Sequence, residues 1–293
     1  MEVFAVVADA GSLAAAAKRL RLSPAAVTRA IAALEDRLGV RLFNRTTRSL
    51  SLTEAGTRFL DSTRRLLSEV EEAEKAAAGA TAIPSGHLTL TASVTFGRTD
   101  VAALVLDFLQ EQPRVTASLL LLDRVVNLVE EGIDVAVRIA HLPDSTLVAR
   151  RVGTVRRVLV ASPAYLAERG APEKPDDLKR HDVIAFTGLL PGREWRLVDD
   201  GRDTAVVLSP RFEVNDAVAA IAGAERGDGI TIALSYMVAG AIAQRRLIPV
   251  LDRFTPPAVP VQLVYPRART MAAKVRAFLD FAAPRLQTTL SRP

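Results

Sequence analysis

The sequence has no cysteine, one tryptophan and three histidines among 293 residues, and aromatics make up 5% of it. Without cysteine it can form neither a disulfide nor a thiolate metal site. His87, His141 and His181 are scattered and lack the spacing of metal ligands, so no metal is expected. No serine sits in a Gly-x-Ser-x-Gly elbow, and no other set of residues suggests catalysis. Gly223, Gly227 and Gly229 loosely resemble a phosphate loop, but they follow a helical pattern instead of opening one, so they read as a helix end and turn. Trp195 reads as a packing anchor. The expectation is therefore a non-enzyme with no cofactor. No run of 18 apolar residues is present, and no basic stretch leads into an apolar core and a small-residue cleavage site. A cytoplasmic protein without membrane association is expected.

What is present is unevenly distributed. The length suits two or more domains. Residues 1–60 hold nine Lys or Arg against five acids, and so carry most of a net charge of +5. A basic segment of this kind is the footprint of a polyanion binder. Within it, Val3, Phe4, Val6 and Val7 give a short amphipathic helix ended by Gly11, and Ser12 caps a second helix over 13–20. Ser23 caps a third helix with Pro24 at its first position and Gly39 as its stop. Val27, Ile31, Leu34 and Leu38 form that helix's buried stripe. Ala25, Thr28, Arg29 and Ala32 fall on the other side, a face able to enter the major groove of double-stranded DNA. There Arg29 can reach a guanine edge or a phosphate, and Thr28 a phosphate or a thymine methyl. The helix alone is equally compatible with an ordinary solvated face. Short strands around Val40–Leu42 and Leu50–Leu52 follow, enclosing Arg45, Thr46, Thr47 and Arg48, a suitable set for backbone and minor-groove contacts.

These residues resemble the LysR-type transcriptional regulators. The pattern comprises the Phe4 helix, Gly11-Ser12, Ala16-Ala17, Leu20, Ser23-Pro24, Leu34-Glu35, Leu38-Gly39, Leu42-Phe43-Arg45 and Leu52-Thr53-Glu54-Ala55-Gly56. The resemblance implies an α/β multidomain protein: a winged helix-turn-helix domain over 1–56, a linker or dimerisation helix and hinge over 57–86, and an effector-binding domain over 87–293. Family members usually begin a few residues earlier, so the first helix is expected to be clipped, weakly packed and the least ordered part of the chain.

Phe59, Thr63, Leu66, Val70, Ala73 and Ala77 make a three-four seam on the linker helix, compatible with packing on the protein's own body or on a partner. The resemblance implies pairing of two subunits, with Phe59, Leu66, Val70 and Ala73 in the seam, and a homodimer or homotetramer overall. Ile83-Pro84-Ser85-Gly86 reads as the hinge. Beyond it, strands at 87–92, 117–122, 133–139 and 157–161 alternate with helices at 99–112 and 124–131. That alternation predicts a mostly parallel sheet covered on both faces. A second set of elements runs to about 260, followed by a strand at 261–265 and a closing helix at 270–286. The resemblance implies a two-lobed, periplasmic-binding-protein-like domain, with lobe I at 87–161 plus 266–293 and lobe II at 162–265. The crossings are expected near 161–163 and 260–266.

Ligands in open α/β sheets collect beyond the carboxyl ends of strands. Ser93, Thr95 and Phe96, with Asp123, Arg138, Phe186 and Asn215, occupy such points. Ser93, Thr95 and Arg138 can take a carboxylate while Phe96 or Phe186 covers an apolar body; equally, Ser and Asn can cap helices, and Arg138 can pair with Asp134 or Asp144. The function expected is a sequence-specific DNA-binding regulator tuned by a small, carboxylate-bearing effector, with RNA polymerase as a partner if it activates. The alternatives are a ligand-independent regulator with a vestigial cleft, a solute-binding protein, or an enzyme on the same fold.

Overall fold

The structure is a computed structural model that describes residues 1–45, 50–77, 83–142, 146–199, 201–267 and 271–291. The chain forms two compact units, residues 1–88 with the short stretches 112–116 and 269–277, and the remainder.

In the first unit, helices α1 (Glu2–Ala10), α2 (Leu13–Leu20) and α3 (Pro24–Leu38) precede the strands β1 (Phe43–Arg45) and β2 (Leu50–Leu52) and the long helix α4 (Glu54–Ala77). Ser12 and Ser23 cap α2 and α3, accepting from the amides of Ala15 and Ala26. Gly39 ends α3 at φ +67°, a conformation that favours a residue without Cβ. α1 packs into the core of this unit. Phe4 and Val7 are completely buried, and the Phe4 ring lies 5.3 Å from Phe43 and 5.2 Å from Phe59.

That packing gives part of the expected seam a partner within its own unit. Phe59 joins Phe4, and Leu67 packs on the same core, so this part of α4 covers its own winged unit. Leu66 and Val70 remain 45% and 55% exposed, and the Ala73 side chain lies outside the described residues. Leu38, expected in the buried stripe of α3, is 37% exposed, while the neighbouring Glu35 is buried.

The second unit holds two mixed five-stranded sheets. The elements of the first are β3 (Gly86–Ala92), α5 (Val94–Phe96) running through a π turn (Gly97–Val101) into α6 (Ala102–Glu111), β4 (Val115–Leu121), β5 (Val135–Ile139) and β6 (Leu147–Val155). Those of the second are β7 (Arg157–Ala161), α7 (Pro163–Arg169), β8 (Val183–Phe186), the hairpin β9 (Glu194–Asp199) and β10 (Arg202–Val207), β11 (Phe212–Val214), α8 (Ala217–Arg226), β12 (Ile230–Leu234), α9 (Ser235–Ala243) and β13 (Ile248–Val250). The chain then returns to the first sheet as β14 (Val259–Pro266) and closes with α10 (Ala273–Leu290).

The strand orders are β4-β3-β5-β14-β6 and β11-β8-β12-β7-β13. The mostly parallel expectation holds for only part of each sheet. β3 runs parallel to β5, and β11 and β12 run parallel to β8. β14 is antiparallel to β5 and β6, and β7 is antiparallel to β12 and β13. The reason lies in the crossings: one strand leaves a sheet where another re-enters it, and the two lie side by side in opposite directions. β6 passes into β7 through Arg156, and the return lies between β13 and β14. The crossings therefore fall earlier than 161–163 and 260–266, and β7 belongs to the second sheet.

Both faces of that sheet are buried. Along β7, Leu159 and Ala161 face a core that contains the 1%-exposed Trp195, while Val158 and Val160 face Ala233 and Val238. The helix expected over 124–131 is absent. Asn127 Oδ1 accepts from the amides of Val129 and Glu130 and tightens a turn, and Gly132 ends it at φ +63°.

Candidate functional site

The first candidate surface is the outer face of α3. Ala25 and Arg29 are exposed on it, and Thr28 is half-buried with its hydroxyl donating to the Pro24 carbonyl at 2.9 Å. The Thr28 hydroxyl is thus tied to its own helix, a detail periodicity could not show. Thr46, Thr47 and Arg48 lie outside the described residues, as does the side chain of Arg45. What the structure does show is the root of that hairpin, where β1 and β2 pair Phe43 with Leu52 and Arg45 with Leu50. Sequence reasoning passed over Glu35 as an acceptor. Its Oε1 takes the amide protons of Leu42 at 2.8 Å and Phe43 at 3.1 Å.

The second candidate is a cavity of about 340 Å³ between the two sheets of the second unit. The first sheet and its loops contribute Ser93, Thr95, Asp123 and Arg138; the second contributes Phe186, Leu234, Tyr236 and Met237. Five of the seven residues singled out from the sequence thus line one space. Phe96 does not: it is fully buried and meets the Tyr236 ring edge-on at 5.1 Å. Asn215 is exposed and is not part of the lining.

Three polar atoms at this cavity are buried without a hydrogen-bond partner: Ser93 Oγ, Arg138 Nη2 and Tyr236 OH. Ser93 occupies the cap position before α5, yet its side chain makes no capping bond. Asp123 Oδ1 accepts from the Val94 amide, the first of that helix, at 2.9 Å. Arg138 donates through Nη1 to the carbonyls of Leu122 and Arg124 at 3.5 and 3.4 Å, both long. Asp134, one of its expected partners, accepts from the Thr89 amide instead; Asp144 lies outside the described residues. Burial pulls the Arg138 guanidinium below its ordinary value, opposed in part by the Glu131 carboxylate, but a guanidinium stays charged. Arg124 is committed to Glu131 by two bonds of 2.8 and 2.7 Å. Burial raises the Tyr236 phenol above its ordinary range; the nearby Ser93 hydroxyl and Phe96 backbone soften this without forming well-aligned bonds. The phenol therefore keeps its proton and can donate.

Sequence reasoning missed Tyr236, although a usable signal was present. Tyr236 follows strand β12 as Ser93 follows β3, at the carboxyl end where ligands collect.

Comparison with known proteins identifies the family of both parts of the chain. Residues 1–57 match the family model described as a bacterial regulatory helix-turn-helix protein of the lysR family, and residues 82–287 match the LysR substrate binding domain. The chain belongs to the LysR family. An HTH-type transcriptional repressor of Pseudomonas aeruginosa is 36% identical over 96% of this chain and 89% of its own length. The HTH-type transcriptional activator AaeR of Escherichia coli is 32% identical over 96% and 91%. Among solved structures, CrgA, a LysR-type transcriptional regulator from Neisseria meningitidis, is 33% identical, covers 99% of this chain and 98% of its own, and superposes with a TM-score of 0.62. This LysR-family chain is therefore a DNA-binding transcriptional regulator with an effector-binding domain.

Proposed function

We infer that the effector is a small molecule bearing one carboxylate on an apolar body, held in the cavity between the two sheets. The observation that carries this reading is that Ser93, Arg138 and Tyr236, each with a buried polar atom that has no hydrogen-bond partner, all line one largely apolar space. Unsatisfied buried donors are costly, and a carboxylate satisfies several of them at once. The walls come from both sheets, so a bound ligand bridges them and favours one lobe arrangement. It acts on DNA binding only to the extent that its affinity differs between arrangements.

On DNA, α3 enters the major groove from its Ser23 end, with Ala25, Thr28 and Arg29 facing the bases. The hairpin carrying Arg45, Thr46, Thr47 and Arg48 lies along the flanking backbone. The chain acts in the cytoplasm as a dimer or a dimer of dimers, and engages RNA polymerase where it activates. The exposed Leu66 and Val70 on α4 support pairing through that helix.

The test measures binding to the intergenic duplex upstream of the chain's own gene by fluorescence anisotropy across a salt series, with and without a panel of small carboxylates. The expected result is tight, salt-sensitive binding, shifted by at least one acid. Arg29→Ala should lose discrimination between this duplex and a random one, whereas Arg48→Ala should weaken both alike. If no acid shifts either DNA binding or thermal stability, the effector reading fails and a ligand-independent regulator remains.

A further inference from the structure

The root of the hairpin is gripped from two sides within the first unit. From α3, the single oxygen Oε1 of Glu35 accepts both the Leu42 and Phe43 amides, and the Glu35 side chain is buried. From the start of α4, the Thr53 amide donates to the Leu42 carbonyl at 3.0 Å, and the Thr53 hydroxyl donates to the Arg41 carbonyl at 2.7 Å. The same Thr53 hydroxyl oxygen caps α4 by accepting from the Gly56 amide at 2.9 Å. Gly56 lies so close that a Cβ added there would sit 2.0 Å from the Leu42 carbonyl oxygen. One peptide segment, Arg41–Phe43, is therefore pinned between the groove-reading helix and the linker helix.

A carboxylate at position 35 is not what helical burial asks for. Residue 35 lies four and eight positions beyond Ile31 and Val27, both fully buried, where an apolar side chain would pack without desolvating a charge. We propose that Glu35 is a positioning residue for DNA binding: by holding the Leu42 and Phe43 amides it fixes the direction in which the β1–β2 hairpin leaves α3, and so the number of phosphates the hairpin reaches. The proposal rests on the reading of that hairpin as a backbone contact.

The test uses the full-length chain and the upstream intergenic duplex, and reads the slope of log K against log salt, which counts neutralised phosphates. Glu35→Leu keeps the bulk and removes the acceptor. Assayed below its own unfolding temperature, it should lose about one to two units of slope, comparable with Arg48→Ala. Glu35→Gln keeps an acceptor oxygen and should restore the wild-type slope. A purely structural role would lower the unfolding temperature and leave the slope of the folded protein unchanged. Should Glu35→Leu not fold, Glu35→Asp, which withdraws the oxygen by one methylene, carries the same expectation. A wild-type slope in folded Glu35→Leu or Glu35→Asp, with Arg48→Ala reduced, overturns the positioning role while sparing the hairpin reading. An unchanged slope in Arg48→Ala removes the hairpin reading, and the proposal with it.

Discussion

Replacing Arg138 with Met should separate ligand binding from stability, with opposite signs. Arg138 makes two long bonds to the carbonyls of Leu122 and Arg124 and leaves Nη2 buried and unpartnered. Methionine removes the desolvated charge and lies against an apolar wall that includes Leu128, Ala136 and Val264. Exchanging a poorly satisfied buried charge for an apolar side chain of similar shape is commonly neutral or stabilising. The ligand-free unfolding free energy should therefore stay within about 1 kcal/mol of wild type, a change of less than about 4 °C for a domain of this size.

Ligand binding should respond quite differently. A carboxylate facing the apolar wall loses a charged, hydrogen-bonded partner, a loss of about 2–5 kcal/mol, or roughly 30- to 5000-fold in Kd. In wild type, an acid at about 100 times its Kd stabilises by about 2.7 kcal/mol, which corresponds to a shift of roughly 5–10 °C. With Kd raised about 30-fold, the same concentration gives less than about 1 kcal/mol. The assay is differential scanning fluorimetry with benzoate, phenylacetate, hexanoate and succinate, and benzamide as the uncharged control, followed by calorimetry on the best acid. A variant that loses more than about 4 °C without ligand, yet shifts like wild type with it, would show that Arg138 holds the fold and does not bind the effector.

Other perturbations carry definite signs. The His181 ring bonds to the Tyr165 hydroxyl at 3.1 Å, and burial holds its pKa below the ordinary 6.5. The folded state thus disfavours the proton, so this contribution to stability is complete above about pH 6.5 and lost as pH falls through the depressed value; urea titrations at pH 7.5 and 5 should diverge less in His181→Gln than in wild type. Ser23→Ala removes the acceptor for the Ala26 amide and should cost about 1 kcal/mol, read as a lower urea midpoint at unchanged slope. Leu66→Glu with Val70→Glu should leave the unfolding of each subunit nearly unchanged while halving the mass seen by analytical ultracentrifugation, because both side chains are exposed within one subunit; an unchanged mass would place pairing elsewhere.

The winged unit was legible because its signals are local. Ser23, Pro24 and Gly39 mark the ends of α3, and Val27, Ile31 and Leu34 recur at helical spacing on the buried side. Segment 124–131 misled because Val125, Val126, Leu128 and Val129 mimic a helical stripe. In the structure Val125 and Val129 are 94% and 67% exposed, and the Asn127 side chain competes for the backbone. The mixed sheets were hidden for a different reason. Strand direction depends on which lobe the chain enters next, and alternation of strand and helix contains no such information.

The cavity shows most sharply what only coordinates supply. Ser93 and Asp123 both have the chemistry of helix caps and of ligand contacts, and sequence cannot divide the roles between them. In the fold Asp123, reaching from the segment after β4, takes the Val94 amide, while Ser93 Oγ makes no capping bond. Asp123 should therefore act on the effector indirectly. Asp123→Asn keeps an oxygen for the Val94 amide and should bind the acid like wild type. Asp123→Ala leaves the Val94 amide without its acceptor and loosens the end of the helix that carries Thr95, which should weaken the acid by about 1 kcal/mol, roughly fivefold by calorimetry. If Asp123 touched the effector directly, through a cationic group on the ligand, Asn and Ala would weaken binding alike, and the indirect role of Asp123 would be refuted.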